Sequence, residues 1–312
     1  MRRLLCALVA TATYLFGLPA ALALDIKFEP VAPNVYVYVG DTGGRTRENQ
    51  GLNANIGLVV TPAGAVLIDS GSTYQVAQHI EQAARLVTNQ PIKCVVNTGG
   101  QDHRWLGNGY FASRGAQLMA HANAVADMNN RGGDHLTGLQ QVLGDKVQGT
   151  QPTLPQQLIE GALNRMSLGG VAFEFVYAGG AHTPGDMLVW LPQQHVLFSG
   201  DVVYVDRMLG VLPVSRTKQW LESFAAIESL APTRIVPGHG RVTTLTQAQT
   251  DTVNYLKALR AHMAQAVEEG TDISAAVASF DSAPFKHLLN AGELMPGNAS
   301  RVYLELEREL FQ

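Results

Sequence analysis

The sequence predicts an α/β protein in which two β-sheets pack face to face, helices cover their outer sides, and a helical tail follows. Three observations carry this. Apolar runs of strand length come in two series, over 35–96 and 171–237, each containing one amphipathic stretch of helix length. Glycine, proline and small polar residues punctuate both series. After Gly240 the strand signals stop and helical spacing takes over.

At the start, Arg2 and Arg3 precede an apolar run from Leu4 to Leu22, and Ala21-Leu22-Ala23 offers small residues where a signal peptidase reads. Residues 1–23 are therefore expected to be a signal peptide, and the protein periplasmic or secreted. Thr11, Thr13, Gly17 and Pro19 interrupt the run and argue against a retained anchor. Residues 35–39 (VYVYV) alternate as a strand, and 55–60 and 64–69 form a hairpin about Thr61-Pro62-Ala63. The polar, glycine-rich stretch 41–51 (DTGGRTRENQG) reads as a mobile loop near the active face. Over 72–87, Val76, Ile80, Ala83, Ala84 and Val87 share one helical face, and 91–96 is the next strand. In the second series, 171–177 is a strand, 187–191 and 195–199 pair about Pro192-Gln193-Gln194, 218–230 is a helix and 234–237 a short last strand. The tail reads as helices over 246–269, 273–280 and 301–311. The pairs Gly43-Gly44, Gly132-Gly133 and Gly169-Gly170 read as turns. None joins a strand to a helix as a phosphate-binding loop must.

Composition narrows the function. Of the 312 residues 46% are hydrophobic, enough for a large core. The net charge of −4, which becomes −6 when Arg2 and Arg3 leave with the leader, shows no basic stripe, so nucleic acid is not an expected partner. No other run reaches the ~18 apolar residues of a membrane span, so no stable membrane insertion is expected after leader removal. Cys6 leaves with the leader, and Cys94 is then alone in an apolar strand, where it reads as a small hydrophobe and not a nucleophile.

The chemistry gathers at strand ends. Asp69 closes one strand, Asp102 and His103 follow another, and His182, Asp201 and His239 sit in Gly179–Asp186, Leu197–Asp201 and Val236–Gly240. Each follows an apolar run and has glycine or proline beside it, which fixes the side chain and lets backbone approach an ion. Imidazoles with carboxylates suit zinc, or iron and manganese where oxygen ligands dominate. His79, His121, His135, His195, His262 and His287 have no such context and read as structural or solvated.

Through these motifs the chain resembles the metallo-β-lactamase superfamily: the Asp69 strand, A-H-T-P-G-D at 181–186, F-S-G-D at 198–201 and V-P-G-H-G at 236–240 all match. More narrowly it resembles the secreted branch that includes the quinoprotein relay system zinc metallohydrolases, through V-A-P-N-V-Y-V-Y-V-G at 31–40 and R-V-Y-L-E-L-E at 301–307. The resemblance covers essentially the whole mature chain. It implies a four-layer αβ/βα sandwich over 24–245, with the helical extension of 246–312 packed on it. It also implies a dinuclear zinc centre, in which the signature loop T-H-x-H-x-D-H supplies most ligands and the aspartate matching Asp201 bridges the metals.

That loop is where the chain departs from the pattern. In an ungapped register, Gly99 and Gln101 replace the early histidines, His103 replaces the aspartate and Arg104 the last histidine. In a gapped register, Asp102-His103 remain the Asp-His pair. Either way too few donors remain for the first ion. The expectation is one ion, zinc before iron or manganese, held by His103, Asp201 and His239 with His182 or Asp102. Asp102, His103 and Arg104 are the candidate catalytic residues. Arg104 either repels a second cation or stands in for it by taking an anionic group. Asp69 is expected to orient a neighbour and Thr183 and Asp186 to hold the His182 turn, while Tyr204 and Arg207, just past Asp201, are candidates for the pocket lining. The expected reaction is attack of metal-activated water on an ester, thioester, lactone or amide of a small-molecule substrate. The alternative is a non-catalytic protein of this fold that binds a small ligand or a periplasmic redox partner.

Overall fold

The computed structural model describes residues 24–310, so the expected leader lies outside the described residues. The first sheet runs in the order β1 (Glu29–Ala32), β2 (Val35–Tyr38), β3 (Ile56–Thr61), β4 (Gly64–Ile68), β5 (Ile92–Asn97), β6 (Gln117–His121), β7 (Gln157–Ile159). β1 to β4 are antiparallel and β4 to β7 parallel. Parallel neighbours need crossovers. These are α1 (Tyr74–Val87), the short helices α2 (Asp102–Trp105) and α3 (Asn108–Ser113), and α4 (Ala122–Leu143).

The second sheet has the order β12-β11-β10-β9-β8, with β8 (Leu163–Leu168), β9 (Val171–Val176), β10 (Leu188–Leu191), β11 (Val196–Tyr204) and β12 (Arg234–His239). Only β11 and β12 run parallel, and α5 (Thr217–Leu230) joins them. The tail supplies α6 (Leu245–Ala248), a π-turn (Gln249–Val253), α7 (Asn254–Glu268), α8 (Ile273–Ser279) and α9 (Ala291–Leu310).

Side-chain alternation along the strands builds the four expected layers. Val37, Ile68 and Val96 of the first sheet meet Phe173, Val189 and Phe198 of the second. On the outer face Leu67 and Val95 take Ile80 of α1. On the opposite outside, Leu197 and Val202 pack with Trp220 of α5, Leu256 of α7 and Val302 of α9. Each fully buried side chain of this size contributes about 1.5–3 kcal/mol of transfer energy, so the tail helices are part of the core. No helix among the described residues is long and apolar enough to cross a membrane.

The sequence reading places nothing at β1, α2, α3, β6, β7 or β8, and three further elements differ from it. Gly132-Gly133 is not a turn but the middle of α4, where Gly132 lies under the Trp105 indole and an added Cβ would approach its Cη2 to 2.9 Å. α9 starts at Ala291 and not near 301, because it runs through Pro296 despite that residue's missing N–H. β11 continues past Ser199 to Tyr204, which places Asp201 inside a strand.

Candidate metal centre

Both sheets end at the same edge, and their strand ends deliver the polar side chains there. Past β4, Asp69 accepts hydrogen bonds from the Thr98 N–H (2.7 Å) and hydroxyl (2.8 Å) and so fixes the turn after β5. That turn leads into α2, a single helical turn carrying His103 and Arg104. Asp201 comes from β11 beside a register shift at Gly200, His239 ends β12, and His182 sits in the loop after β9. All six are buried; Asp201 and Arg104 are each 1% exposed.

His103, Asp201 and His239 present ligand atoms that all lie within 4.8 Å of one another. His103 Nε2 is 3.1 Å from Asp201 Oδ2, and His239 Nε2 is 3.2 Å from Asp201 Oδ1. These separations approach the ~3.3 Å edge of a tetrahedron built on ~2.0 Å zinc–ligand bonds. The donor chemistry agrees. His239 Nδ1 is 2.7 Å from the Asn53 carbonyl, which can only accept, so Nδ1 carries the proton. Burial pushes the His239 pKa well below its usual value, so the ring is neutral and its Nε2 lone pair faces a carboxylate oxygen. A divalent ion shared between two such acceptors relieves their repulsion. Tyr204 stacks on the His239 ring with centroids 4.7 Å apart and holds its plane.

Arg104 occupies the other side of Asp201. Its Nε donates to Oδ2 (3.2 Å), its Nη2 to Oδ1, and its Nη1 to Asp69 Oδ2 (3.0 Å) and the Asn55 carbonyl (3.3 Å). Burial alone would raise the Asp201 pKa, but Arg104 overrides it and holds the carboxyl well below the ordinary range. Gly238 permits this packing, since an added Cβ would come within 2.5 Å of both Arg104 Nη2 and Asp201 Oδ1.

The other candidates are placed differently. Asp102 does not join the cluster. Its carboxylate accepts from Arg45 Nη2 (2.5 Å), Gln101 Nε2 (3.2 Å) and the His103 N–H (2.8 Å). Burial opposes its charge, yet Arg45 keeps it ionised. It touches His103 at long range, 3.4 Å from Nδ1, where Arg45 Nη2 competes at 3.2 Å. Asp102 is not among the three donors that converge, and its carboxylate is taken up by Arg45, Gln101 and the His103 N–H. His182 also stays outside the three-residue group. Its Nδ1 donates to the Gly210 carbonyl (2.7 Å), and burial lowers its pKa to about 4, leaving a neutral Nε2.

Gly99 and Gly100 are filled in by neighbours. A Cβ on Gly99 would fall well inside contact distance of Asp186 Oδ1, and one on Gly100 would meet Asp127 Oδ2. Asp186 accepts from the Thr183 N–H (2.7 Å) and pairs with its hydroxyl (2.5 Å), holding the His182 turn, and burial raises its pKa to about 8. Gly99→Ala is therefore expected to cost about 1–3 kcal/mol by overpacking, measured by urea denaturation. A change of a few tenths would contradict this geometry.

Four contributors carry no signal in the sequence pattern: Arg45 from the loop over 41–51, the Asn53 and Gly210 carbonyls, and Asn298. Asn298 of α9 accepts from the Val211 N–H (2.7 Å) and donates to the Leu209 carbonyl (2.8 Å). It thereby fixes the segment whose Gly210 carbonyl orients His182. These groups sit under a cleft of about 410 Å³ whose lining includes Arg45, Gln101, His103, His182, Arg207 and His239. Tyr204 lines it too, so both pocket candidates, Tyr204 and Arg207, are found in the lining.

A family model described as "Metallo-beta-lactamase superfamily" matches residues 49–239. The chain is 25% identical over 227 residues to a metallo-beta-lactamase type 2 from Bacillus sp. (strain 170), covering 70% of this chain and 77% of that protein. Among solved structures it is similar to a metallo-beta-lactamase from Pontibacter korlensis (TM-score 0.59, 21% identity, 74% of this chain and 99% of that one). It is also similar to the sec-alkylsulfatase Pisa1 from Pseudomonas sp. (TM-score 0.69, 20% identity, 89% of this chain and 50% of that one). At these identities the structural likenesses speak for the fold alone.

Proposed function

The chain belongs to the metallo-beta-lactamase superfamily, and from that premise we propose a periplasmic or secreted hydrolase that works with one divalent ion. Zinc is the first choice and iron or manganese the next, held by His103, Asp201 and His239. The observation that carries this reading is the convergence of those three donors, within 4.8 Å of one another, beneath the cleft. Secretion is supported by the leader pattern over 1–23.

When bound, such an ion supplies Lewis acidity and lowers the pKa of a water to about 7. The protein's own groups do the rest. Arg104 keeps Asp201 ionised and takes up the space and charge of a second cation, as the ungapped register of the loop supposes. His182, neutral with Nδ1–H committed to Gly210, offers Nε2 to the cleft as a proton acceptor. Arg45 and Asp102 set the orientation of His103. An amide, ester, thioester or lactone is the proposed substrate type, in line with the name metallo-beta-lactamase type 2 that the Bacillus relative carries.

One observation favours a second reading. Arg104 already neutralises Asp201, so the site is electrostatically stable without an ion, as a non-catalytic ligand-binding protein requires. Metal analysis of protein purified without chelator separates the two. About one equivalent supports the hydrolase. Less than roughly a tenth, with no reconstitution by Zn²⁺, Fe²⁺ or Mn²⁺, sinks it.

A further inference from the structure

One wall of the cleft is held by the tail and not by the sheets. β11 ends at Tyr204, and the segment after it, residues 206–212, carries Arg207, Gly210 and Leu212 into the lining. The Met208 N–H donates to the Leu289 carbonyl (2.9 Å), the Leu289 N–H to the Asp206 carbonyl (3.0 Å), and Arg301 Nη1 to the Val211 carbonyl (2.7 Å). The central contact is Asn298, fully buried in α9. Its Oδ1 accepts from the Val211 N–H (2.7 Å), and its Nδ2 donates to the Leu209 carbonyl (2.8 Å) and the Tyr255 hydroxyl of α7 (3.1 Å). A flipped amide would set donor against donor and acceptor against acceptor. The C=O before Gly210 and the N–H after it are the pair that one residue of a parallel ladder takes from its neighbour, and the middle residue's own C=O then faces the other way. There the Gly210 carbonyl meets His182 Nδ1 at 2.7 Å. The backbone of His182 is tied to the same segment, since Ser215 Oγ donates to the His182 carbonyl (2.7 Å) and accepts from the Leu212 N–H (2.8 Å).

From this bracket we infer that Asn298 is a positioning residue of the cleft: acting from the tail through the Gly210 carbonyl, it holds His182 as its Nδ1–H tautomer and keeps the Nε2 lone pair free for the cleft. A neutral imidazole can carry its proton on either nitrogen, and only the Nδ1–H form offers Nε2 as an acceptor. Without Asn298 the Gly210 peptide is free to turn, and the ring loses the acceptor that selects its tautomer. The tail then does more than cover the core, because it decides what one face of the cleft presents. The use of that lone pair as a proton acceptor rests on the hydrolase reading above. The tautomer itself does not, and it does not depend on the ion.

Long-range ¹⁵N–¹H correlation spectra of protein labelled at the histidine nitrogens test it. They are taken at neutral pH, where His182 is uncharged because burial lowers its pKa to about 4. The His182 signals are identified by their loss in His182→Gln, and metal content is measured on every sample. In the wild type Nδ1 is expected to show the shift of a protonated nitrogen and Nε2 that of an unprotonated one. Asn298→Ala should lower the ratio of the Nδ1–H to the Nε2–H form at least about fivefold, the factor that one net hydrogen bond commands. Asn298→Asp keeps the shape and the Val211 bond but repels the Leu209 carbonyl. It should lower the ratio too, and it decides the matter where the alanine variant does not fold. Arg301→Met removes another tail contact from the same segment and leaves the bracket, so it should keep the wild-type ratio. A wild-type ring protonated at Nε2 overturns the inference whatever the variants do. So does an unchanged ratio in folded Asn298→Ala or Asn298→Asp, or an equal shift in Arg301→Met, which would trace the effect to a loosened tail at large. A tautomer that depends on Asn298 in protein that holds no metal would uphold this inference while the hydrolase reading failed. A stoichiometric metal beside a ring protonated at Nε2 would do the reverse.

Discussion

Arg104→His is expected to lower stability by about 3–5 kcal/mol in the presence of chelator and to raise zinc content by about one equivalent over the wild type when zinc is supplied. The first effect follows from burial. Arg104 is 1% exposed and bridges Asp201 and Asp69, which are equally shut off from water. Removing the guanidinium strands two carboxylates, and a neutral imidazole cannot replace three charge-assisted hydrogen bonds. The second effect follows from position. The guanidinium lies against both oxygens of Asp201, so an imidazole there joins a carboxylate already faced by His103 and His239. Zinc binding to the folded state should then recover stability, by about 2.7 kcal/mol at a hundredfold excess over Kd. Arg104→Met is the control: it should lose the same stability and gain no metal. Thermal melts with and without zinc, alongside metal analysis, read both effects. Wild-type stability of Arg104→His in chelator would show that the guanidinium does not neutralise the pair. A full loss without added zinc uptake would show that it does not occupy a cation's place.

The strands were legible because their apolar runs are buried on both faces, so Leu67 and Ile68, Val95 and Val96, and Leu197 and Phe198 all had to be apolar. His182, Asp201 and His239 were legible as donors because each breaks such a run beside glycine or proline. Whether a given donor reaches a shared ion was not, and His182 turns out to stand apart from the group. What faces what across α2 was also hidden. His103 and Arg104 are adjacent, and a shift of one residue exchanges a ligand for a cation. Only the third dimension shows both side chains on Asp201 Oδ2, at 3.1 Å and 3.2 Å. Asp102 looked like a ligand beside His103 because sequence cannot show Arg45, 57 positions earlier, drawing its carboxylate aside. α4 was missed for a related reason. Gly132 reads as a breaker until the Trp105 ring that requires it is seen.

Asp201→Asn is the other large effect, and it separates the metal's role from the fold's. The amide keeps the shape of the carboxylate and removes its charge, so His103 and His239 lose the anionic donor between them. Metal content is expected to fall below roughly a tenth of an equivalent, and hydrolysis of a panel of esters, thioesters, lactones and amides at least about 10²-fold, because no ion remains to activate water. Stability should fall by less than in Arg104→Met, since Arg104 keeps Asp69 and the Asn55 carbonyl as partners. The double variant Arg104→Met/Asp201→Asn sharpens the argument. It removes both charges of the pair, and burial already pushes the remaining Asp69 towards its neutral form. It should therefore be more stable than Arg104→Met alone, with a coupling energy above about 1 kcal/mol. Additive losses would mean that Asp201 and Arg104 do not hold each other. A metal retained by Asp201→Asn would mean that the ion, where one binds, is not held by this carboxylate.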